Sequence, residues 1–177
     1  MFKKTAQPKS LAAFTLIEIL DTVTLTAIIM LGITSLFISL MTSAGKSRIS
    51  QNLRENGTVA MQRMIEELRN AKAINLTTAE CDGNITHSSL SFTNNNIDET
   101  ISTLSADNNR IKLTTGTSDY YLTSDNNELR GLTFVCYSSS EGAKYIEISF
   151  TLASSAATAN SPTHSQLDFK SGVSLRN

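Results

Sequence analysis

The chain has 177 residues, with 15 Lys and Arg against 16 Asp and Glu and a formal net charge of -1. This length leaves room for one folded domain besides a membrane segment. A nucleic-acid-binding surface needs clustered Lys and Arg, and the near-neutral balance argues against such a cluster. The composition therefore excludes a basic nucleic-acid-binding protein and favours a small domain with other partners.

The amino-terminal stretch has the layout of a membrane anchor. A basic leader contains the lysines Lys3, Lys4 and Lys9. Beyond it, residues 22–45 carry no charge, and roughly 20 apolar residues are enough to cross a bilayer. The basic flank predicts that the amino end stays in the cytoplasm. We therefore expect one transmembrane helix, with the rest of the chain on the extracytoplasmic side.

Two acids, Glu18 and Asp21, lie at the leading end of this apolar run. An acid carried to the bilayer centre costs up to about 3 kcal/mol. Either both carboxylates lie at the level of the lipid headgroups, or Glu18 meets a positive partner in an apolar environment. Asp21 lies on the same helical face, and a position at the membrane interface is its simplest explanation.

A short basic leader, a small residue and the sequence Phe14-Thr15-Leu16-Ile17-Glu18 at the start of a long apolar helix resemble the type IV prepilin and pseudopilin family. The resemblance implies that a prepilin peptidase cuts between Ala13 and Phe14 and methylates the new amino terminus of Phe14. It also implies that Glu18 faces this amine on a neighbouring subunit. Ala13 stands where the family usually has glycine. Removal of the three leader lysines would leave 12 basic and 16 acidic residues, a balance of -4.

Other segments are similar to a subgroup of this family, the J-type minor pseudopilins of type II secretion and their PilW-like relatives. These segments are QNLRENG (51–57), AMQRM (60–64), LRNA (68–71) and VSLRN (173–177). Many major pilins have a proline midway along the membrane half of the helix, and residues 32–36 contain none. The resemblance therefore implies a minor pilin or pseudopilin.

The helix is predicted to continue beyond the membrane segment, from about Phe14 to Ile74. After Lys46 the apolar residues follow the spacing of one helical face: Ile49, Leu53, Ala60, Met61, Met64, Ile65, Leu68 and Ala71. We expect Met61, Met64, Ile65 and Leu68 to supply the helix side of a core. The predicted organisation is a leader at 1–13, a transmembrane and assembly half at 14–44, an amphipathic half at 45–75 and a β domain at 76–177.

From residue 79 onward the apolar residues alternate instead, which is typical of half-buried strands. The alternating sets are Leu90/Phe92, Ile111/Leu113, Tyr120/Leu122, Leu132/Phe134/Cys136, Ile146/Ile148/Phe150/Leu152 and Val173/Leu175. Turn-forming clusters, such as Asp107-Asn108-Asn109, separate them. We predict six or seven strands in an antiparallel sheet that packs on the long helix, which is an α+β, pilin-like fold. Residues 154–165 are expected to form a loop before the last strand.

The chain has two cysteines, Cys81 and Cys136. On the oxidising side of a membrane they are expected to form a disulfide, although two buried free thiols remain the alternative. The bridge would close a loop of about 56 residues and contribute up to about 4 kcal/mol on the chain-entropy model. Zinc binding is not expected, because neither cysteine has a companion at ligand spacing.

The sequence offers no catalytic arrangement. The two histidines, His87 and His164, have no acid or cysteine at ligand or triad spacing, and we interpret both as solvated loop residues. Nucleophile-elbow, P-loop and zinc-protease motifs do not occur. We therefore expect a non-enzymatic protein with no cofactor and no metal.

The function predicted from the resemblance is that of a structural subunit of a type IV pilus-like filament or a type II secretion pseudopilus. Its expected partners are prepilin peptidase, other pilin or pseudopilin subunits and an inner-membrane assembly platform. Its expected location is the bacterial inner membrane and then an extracytoplasmic filament. The competing prediction is an uncleaved, single-pass binding module such as an adhesin or sensor. A tethered secreted enzyme is a third class, for which the sequence contains no catalytic group.

Overall fold

The computed structural model describes residues 15–95, 99–139, 143–154 and 165–175. In chain order these form one helix, nine strands and a short 3-10 helix. The elements are α1 (Leu16–Asn70), β1 (Ala71–Ile74), the 3-10 helix (Thr78–Glu80), β2 (Asp82–His87), β3 (Ser89–Asn94), β4 (Ile101–Asp107), β5 (Arg110–Thr115), β6 (Ser118–Tyr121), β7 (Asn127–Ser138), β8 (Lys144–Ser154) and β9 (Gln166–Ser174). The predicted α+β class, with a long amino-terminal helix packed on antiparallel sheet, is confirmed.

The chain divides into two compact units, Met1–Thr42 and Ser43–Asn177. The described part of the first unit is the apolar beginning of α1. The second unit contains the remainder of α1 and all nine strands of the described residues. The boundary after Thr42 is two residues before residue 44, the predicted end of the membrane half.

The predicted end of α1 near Ile74 is wrong. The helix ends at Asn70, and Ala71–Ile74 form the edge strand β1, which pairs antiparallel with β3. Local preference favours helix here, because Ala and Lys are good helix formers. Pairing with β3 and burial of Ala71 and Ile74 outweigh that preference. The amphipathic half is therefore shorter than the predicted 45–75.

The strands form two antiparallel sheets rather than one, and there are more of them than predicted. The first sheet has the order β1-β3-β4-β5-β6 and the second the order β2-β7-β8-β9. Strand β4 has weak alternation, because its inward position Ser102 is polar yet fully buried. Asn94 donates to Ser102 Oγ at 2.8 Å, and Ser102 Oγ lies 2.9 Å from Thr115 Oγ1. Hydrogen bonding therefore allows a polar residue to occupy a strand position that the hydrophobic pattern does not reveal.

The turn between β4 and β5 follows from its sequence. Asn108 and Asn109 both have positive φ, 50° and 59°. Two left-handed residues define the tight hairpin turn that matches strand twist, and Asn tolerates this conformation better than most residues. The predicted turn at Asp107-Asn108-Asn109 is confirmed. The loop predicted at 154–165 lies almost entirely outside the described residues.

A single hydrophobic cluster joins the second part of α1 to both sheets. The helix contributes Leu53, Ala60, Met61, Met64 and Leu68, each at most 7 % exposed, and Ile65 packs against the cluster while partly buried. The sheets contribute large side chains that include Phe92, Leu104, Phe134 and Ile148. The four helix residues predicted to face the core do so.

Candidate functional site: the amino-terminal helix and the disulfide-bonded domain

The start of α1 has a conventional cap. Thr15 precedes the helix, and the backbone N–H of Glu18 donates to the Thr15 carbonyl at 3.1 Å and approaches Thr15 Oγ1 at 3.4 Å. A threonine cap followed three residues later by glutamate satisfies free donors in the first turn. Glu18 therefore lies in the capped first turn of α1, which is a structural role independent of any interaction with a partner. The predicted cleavage residues, Ala13 and Phe14, lie outside the described residues.

Every side chain from Thr15 to Ala44 is exposed. The large apolar ones between Leu16 and Met41 are sixteen in number and 52–83 % exposed. An exposed apolar surface of this size is foreign to a water-soluble monomer and marks contact with lipid or with other chains. The helix is long and apolar enough to cross a membrane, with a mean hydropathy of 2.2 over its best window. Length and composition thus identify a candidate membrane span.

The hydroxyl groups in this segment bond to the helix itself. Thr22, Thr26 and Thr34 donate to the carbonyls of Ile19, Thr22 and Met30 at 2.7–2.8 Å. Similar bonds are made by Thr24, Ser35 and Thr42. An unsatisfied hydroxyl in hydrocarbon is costly, and back-bonding to the preceding turn removes this cost. The polar residues are therefore compatible with a lipid environment.

Glu18 and Asp21 are both exposed on α1. Within the described residues neither carboxylate forms an ion pair. A charged group in an apolar setting is expensive until it is neutralised or paired. Any positive partner for these acids within lipid must therefore come from residues outside the described ranges or from another molecule.

The predicted pairing of Cys81 with Cys136 is present as a disulfide, and both residues are at most 2 % exposed. Cys81 lies between the 3-10 helix and β2, while Cys136 points inward from β7. The backbone N–H of Ser138 also donates to the Cys81 carbonyl at 2.9 Å. The bridge therefore ties the segment that follows α1 and β1 to a central strand of the second sheet.

Two acids beside Cys81 are held by local hydrogen bonds. Glu80 accepts from the Thr77 backbone N–H at 2.8 Å and from its hydroxyl at 2.7 Å, which lowers the pKa of Glu80. Asp82 accepts from the Asn84 backbone N–H at 2.8 Å and from its side-chain amide, which lowers the pKa of Asp82. These bonds fix the turns on both sides of the disulfide. They order the chain and offer no reactive group.

Gly57 is a close-contact position that the sequence alone did not identify. It is buried within α1, and the ring of Phe169 from β9 lies directly against it. A methyl group at this position would overlap the Phe169 ring. The ring also stacks on Phe150, with centroids 5.1 Å apart. Gly57 therefore lets α1 approach the second sheet closely.

The Ser43–Asn177 unit has an open groove of about 660 Å³ between α1 and the β5–β6 hairpin. Its walls include Val59, Arg63, Leu113, Tyr120 and Leu122. Its lining combines these apolar side chains with the ion pair between Arg63 and Glu67, at 2.7 Å. It has room for a small ligand or an extended peptide, but it brings together no catalytic group.

Strands β4 to β6 carry a charged cluster on their surface. Asp107 accepts a hydrogen bond from the Tyr121 hydroxyl at 2.8 Å, which lowers the pKa of Asp107, and Lys112 adds to this effect from 3.4 Å. Burial opposes the charge on Lys112, but Asp107 and Asp119 outweigh it and raise the pKa of Lys112. Arg110 lies over the Tyr121 ring at 3.7 Å and pairs with Asp125. Both cations of the cluster are paired with acids, as expected for a stabilising surface network.

The interpretation of His87 as a solvated loop residue is wrong. His87 ends β2 and is half-buried, and its Nε2 atom is buried without a hydrogen-bond partner in the described residues. Strand pairing with β7 carries it inward, since His87 is opposite Phe134. His164 lies outside the described residues. In the part of the chain that the structure describes, no group of three or more His, Cys, Asp or Glu side chains has a metal-binding arrangement.

Comparison of the chain with protein-family models, with curated proteins and with solved structures gives no match. The geometry itself therefore establishes two features: an exposed apolar helical segment that begins with two acids, and a disulfide-bonded domain of two sheets packed on a helix.

Proposed function

We propose that this protein is a structural, non-catalytic subunit of a type IV pilus-like filament or type II secretion pseudopilus. In this proposal a prepilin peptidase cuts between Ala13 and Phe14 and methylates Phe14. The exposed part of α1 first lies in the inner membrane and later packs against the helices of other subunits. The J-type minor pseudopilins and PilW-like minor pilins remain the proposed subtype.

The observation that carries the proposal is the exposed apolar segment at the start of α1. The same apolar surface suits the subunit in the membrane and in the filament, because it can pack equally well against lipid chains or against neighbouring apolar helices. The internally bonded hydroxyls make the same segment suitable for either environment. The motif Phe14-Thr15-Leu16-Ile17-Glu18 supports the choice of a pilin-like filament over other membrane anchors.

Glu18 has a defined role in this mechanism. Its carboxylate has no ion pair among the described residues, so it is available to pair with the terminal ammonium of Phe14 from a neighbouring subunit. The desolvation of two charges offsets much of their attraction, and such a pair contributes more to register than to stability. We therefore assign Glu18 the axial alignment of an incoming subunit.

The membrane orientation in this proposal rests on the disulfide rather than on the charges that flank the apolar segment. Lys46, Arg48 and Arg54 follow the apolar segment and equal the three leader lysines in number. The charge bias of the flanks therefore does not decide the orientation. A disulfide between Cys81 and Cys136 persists in an oxidising compartment, which supports a position of the Ser43–Asn177 unit outside the cytoplasm.

The first test is the intact mass and amino-terminal sequence of the protein isolated from the membranes of its host. The proposal predicts a chain that begins at methylated Phe14. A chain that still begins at Met1 would contradict the processing step and favour the anchored-module alternative.

The second test replaces Glu18 with Ala and asks whether the subunit enters filaments. We expect Glu18→Ala protein to accumulate in membranes and to be missing from sheared filaments, as measured by immunoblot of both fractions. Asp21→Asn is the matched control, because it removes an equally exposed acid three residues away. Normal assembly of Glu18→Ala, or an equal defect in Asp21→Asn, would contradict a specific role for Glu18.

One observation favours the alternative of an uncleaved binding module, adhesin or sensor. The groove between α1 and the β5–β6 hairpin has the volume of a ligand site. The two functions differ in the fate of residues 1–13, so the mass measurement separates them directly.

A further inference from the structure

The first charged residues after the apolar segment are all positive. They are Lys46, Arg48 and Arg54, which we name the basic collar. The three side chains are exposed, and none of them forms an ion pair among the described residues. Residues 22–54 contain no acid at all. Glu55 directly follows Arg54 but forms no ion pair with it, so the collar is a positive surface in which no cation is ion-paired within the described residues.

Other cations of the Ser43–Asn177 unit contrast with the collar. Arg63 contacts Glu66 at 3.2 Å and Glu67 at 2.7 Å on α1. Further pairs join Lys72 to Glu99, Arg110 to Asp125, Arg130 to Glu128 and Lys170 to Glu147. Six of the eight other cations that the structure describes in this unit form ion pairs, Arg69 and Lys144 being the exceptions, so three successive unpaired cations point to a partner outside the chain.

The surface beside the collar is rich in hydrogen-bond donors. Lys46 and Arg54 line a shallow groove of about 490 Å³ on α1, whose other walls are Ser43, Ser47, Ser50 and Gln51. No carboxylate lines this groove. Ammonium, guanidinium and hydroxyl donors together suit a phosphate group, and guanidinium binds phosphate through two parallel hydrogen bonds.

We propose that the basic collar binds the headgroups of anionic phospholipids at the membrane surface. Two observations select this occupant. The charge is complementary to phosphate, and Lys46 comes four residues after Thr42, where the first unit ends, so the collar continues directly from the candidate membrane span. Cations immediately beside a membrane-spanning helix are attracted to anionic lipid, and the attraction falls off within a Debye length. The proposal rests on the membrane-spanning part of the proposed function and not on cleavage or polymerisation.

This binding would oppose the departure of the subunit from the membrane. The apolar segment can exchange lipid for neighbouring helices at little cost, but the collar has to release its headgroups before the subunit leaves. The lipid composition of the membrane would therefore set how readily a subunit is extracted. Arg54 lies furthest along the chain from the span, so we expect it to contribute less than Lys46 and Arg48.

The experiment uses the full chain reconstituted in bilayers of defined composition. The association of spin-labelled phosphatidylglycerol and of spin-labelled phosphatidylcholine is measured from the motionally restricted fraction of each lipid. We expect a preference for phosphatidylglycerol, on the order of fivefold for each cation at the surface. Raised salt should reduce this preference. Equal association of the two lipids would overturn the proposal.

Two variants show whether the basic collar causes the preference for phosphatidylglycerol. Replacement of Lys46, Arg48 and Arg54 by Gln should abolish most of the preference. The matched control replaces Arg63, Arg69 and Lys72 by Gln, which removes the same charge further along the chain and should leave the preference intact. The leader lysines are unchanged in both variants, so their contribution cancels. An equal loss in the two variants would show a net-charge effect and overturn the proposal.

Two further measurements keep the result interpretable. Circular dichroism checks that both variants are folded. Folding is expected, because all six side chains are exposed and should tolerate replacement by Gln. If the collar variant binds the two lipids like the wild-type chain but fails to enter filaments, the collar contacts another subunit instead, and the proposal is overturned. Failure of the processing test at Phe14 would leave the lipid measurement unaffected, so the two proposals fail separately.

Discussion

The two parts of α1 follow opposite rules of burial. From Leu16 to Thr42 every residue is exposed, although the segment is predominantly apolar. From Leu53 to Leu68 the apolar residues of one face are buried to 7 % exposure or less. The first part is therefore long and apolar enough to cross a membrane, while the second part is an ordinary amphipathic helix whose partner is its own β domain.

The largest expected effect comes from truncating the same residue type in each part. Leu68→Ala removes a fully buried side chain and should lower the free energy of unfolding of the domain by about 2–5 kcal/mol. Leu31→Ala, at a position 73 % exposed, should leave this free energy unchanged. Tyrosine fluorescence during denaturation measures the effect, because all four tyrosines lie in the Ser43–Asn177 unit. Equal destabilisation by the two changes would break the comparison.

Loss of the disulfide should have the next largest effect, again confined to the second unit. Replacing Cys81 and Cys136 by Ser releases a loop closed over a sequence separation of 55 residues and should cost about 2–4 kcal/mol. The tyrosine unfolding transition of the oxidised wild-type protein is compared with that of the variant and of the reduced wild-type protein. Reductant should shift the wild-type transition and leave that of the variant in place. An unchanged wild-type transition would show that the bridge adds no stability.

Gly57→Ala sharpens the comparison at the contact between α1 and the second sheet. The added methyl group would overlap the Phe169 ring, and overpacking of this kind costs about 1–3 kcal/mol. The double variant Gly57→Ala/Phe169→Leu should recover part of the loss, which a double-mutant cycle measures. Gly32→Ala is the control in the first part, because nothing lies within 4 Å of its added methyl group. Full additivity of the two changes in the double variant would contradict direct contact.

The smallest expected effect is a pH dependence in the β domain. The Tyr121 hydroxyl lowers the pKa of Asp107 below its ordinary value of 3.8. The stability from this bond is therefore present above pH 3.8 and is lost as the pH falls through the lowered pKa. Tyr121→Phe keeps the ring over Arg110 but removes the bond, so its deficit in melting temperature should be present at pH 7 and shrink toward pH 2. Tyr120→Phe should show no such pH dependence, and the same profile in both variants would contradict the assignment.

Much of the fold was predictable, because its signals are local. The uncharged run at 22–45 predicts the exposed segment of α1, and the spacing of Met61, Met64 and Leu68 predicts its buried face. The turn at Asn108 and Asn109 follows from the tolerance of Asn for positive φ. Glu18 was singled out because an acid beside an apolar run is costly, and the structure places it at the helix start without an ion pair in the described residues.

The errors share one physical cause, which is competition from contacts distant in sequence. Ala71–Ile74 has a helical composition, but pairing with β3 makes it a strand. The pattern of alternating apolar residues does not predict strand β4, because Ser102 occupies a core position through hydrogen bonds to Asn94 and Thr115. The sequence predicts His87 to be a solvated loop residue, but pairing of β2 with β7 brings it into a half-buried position.

Residue type and spacing are enough to predict the fold class: an apolar helical start, an amphipathic continuation, an alternating β region and two cysteines able to pair. These are properties of residue type and spacing, which act over a few residues. Contacts between distant segments determine where α1 ends, how the strands divide between two sheets, and that the Phe169 ring packs on Gly57. Those outcomes depend on which surfaces meet, because a close contact across the core is a property of two segments at once and is encoded in neither alone.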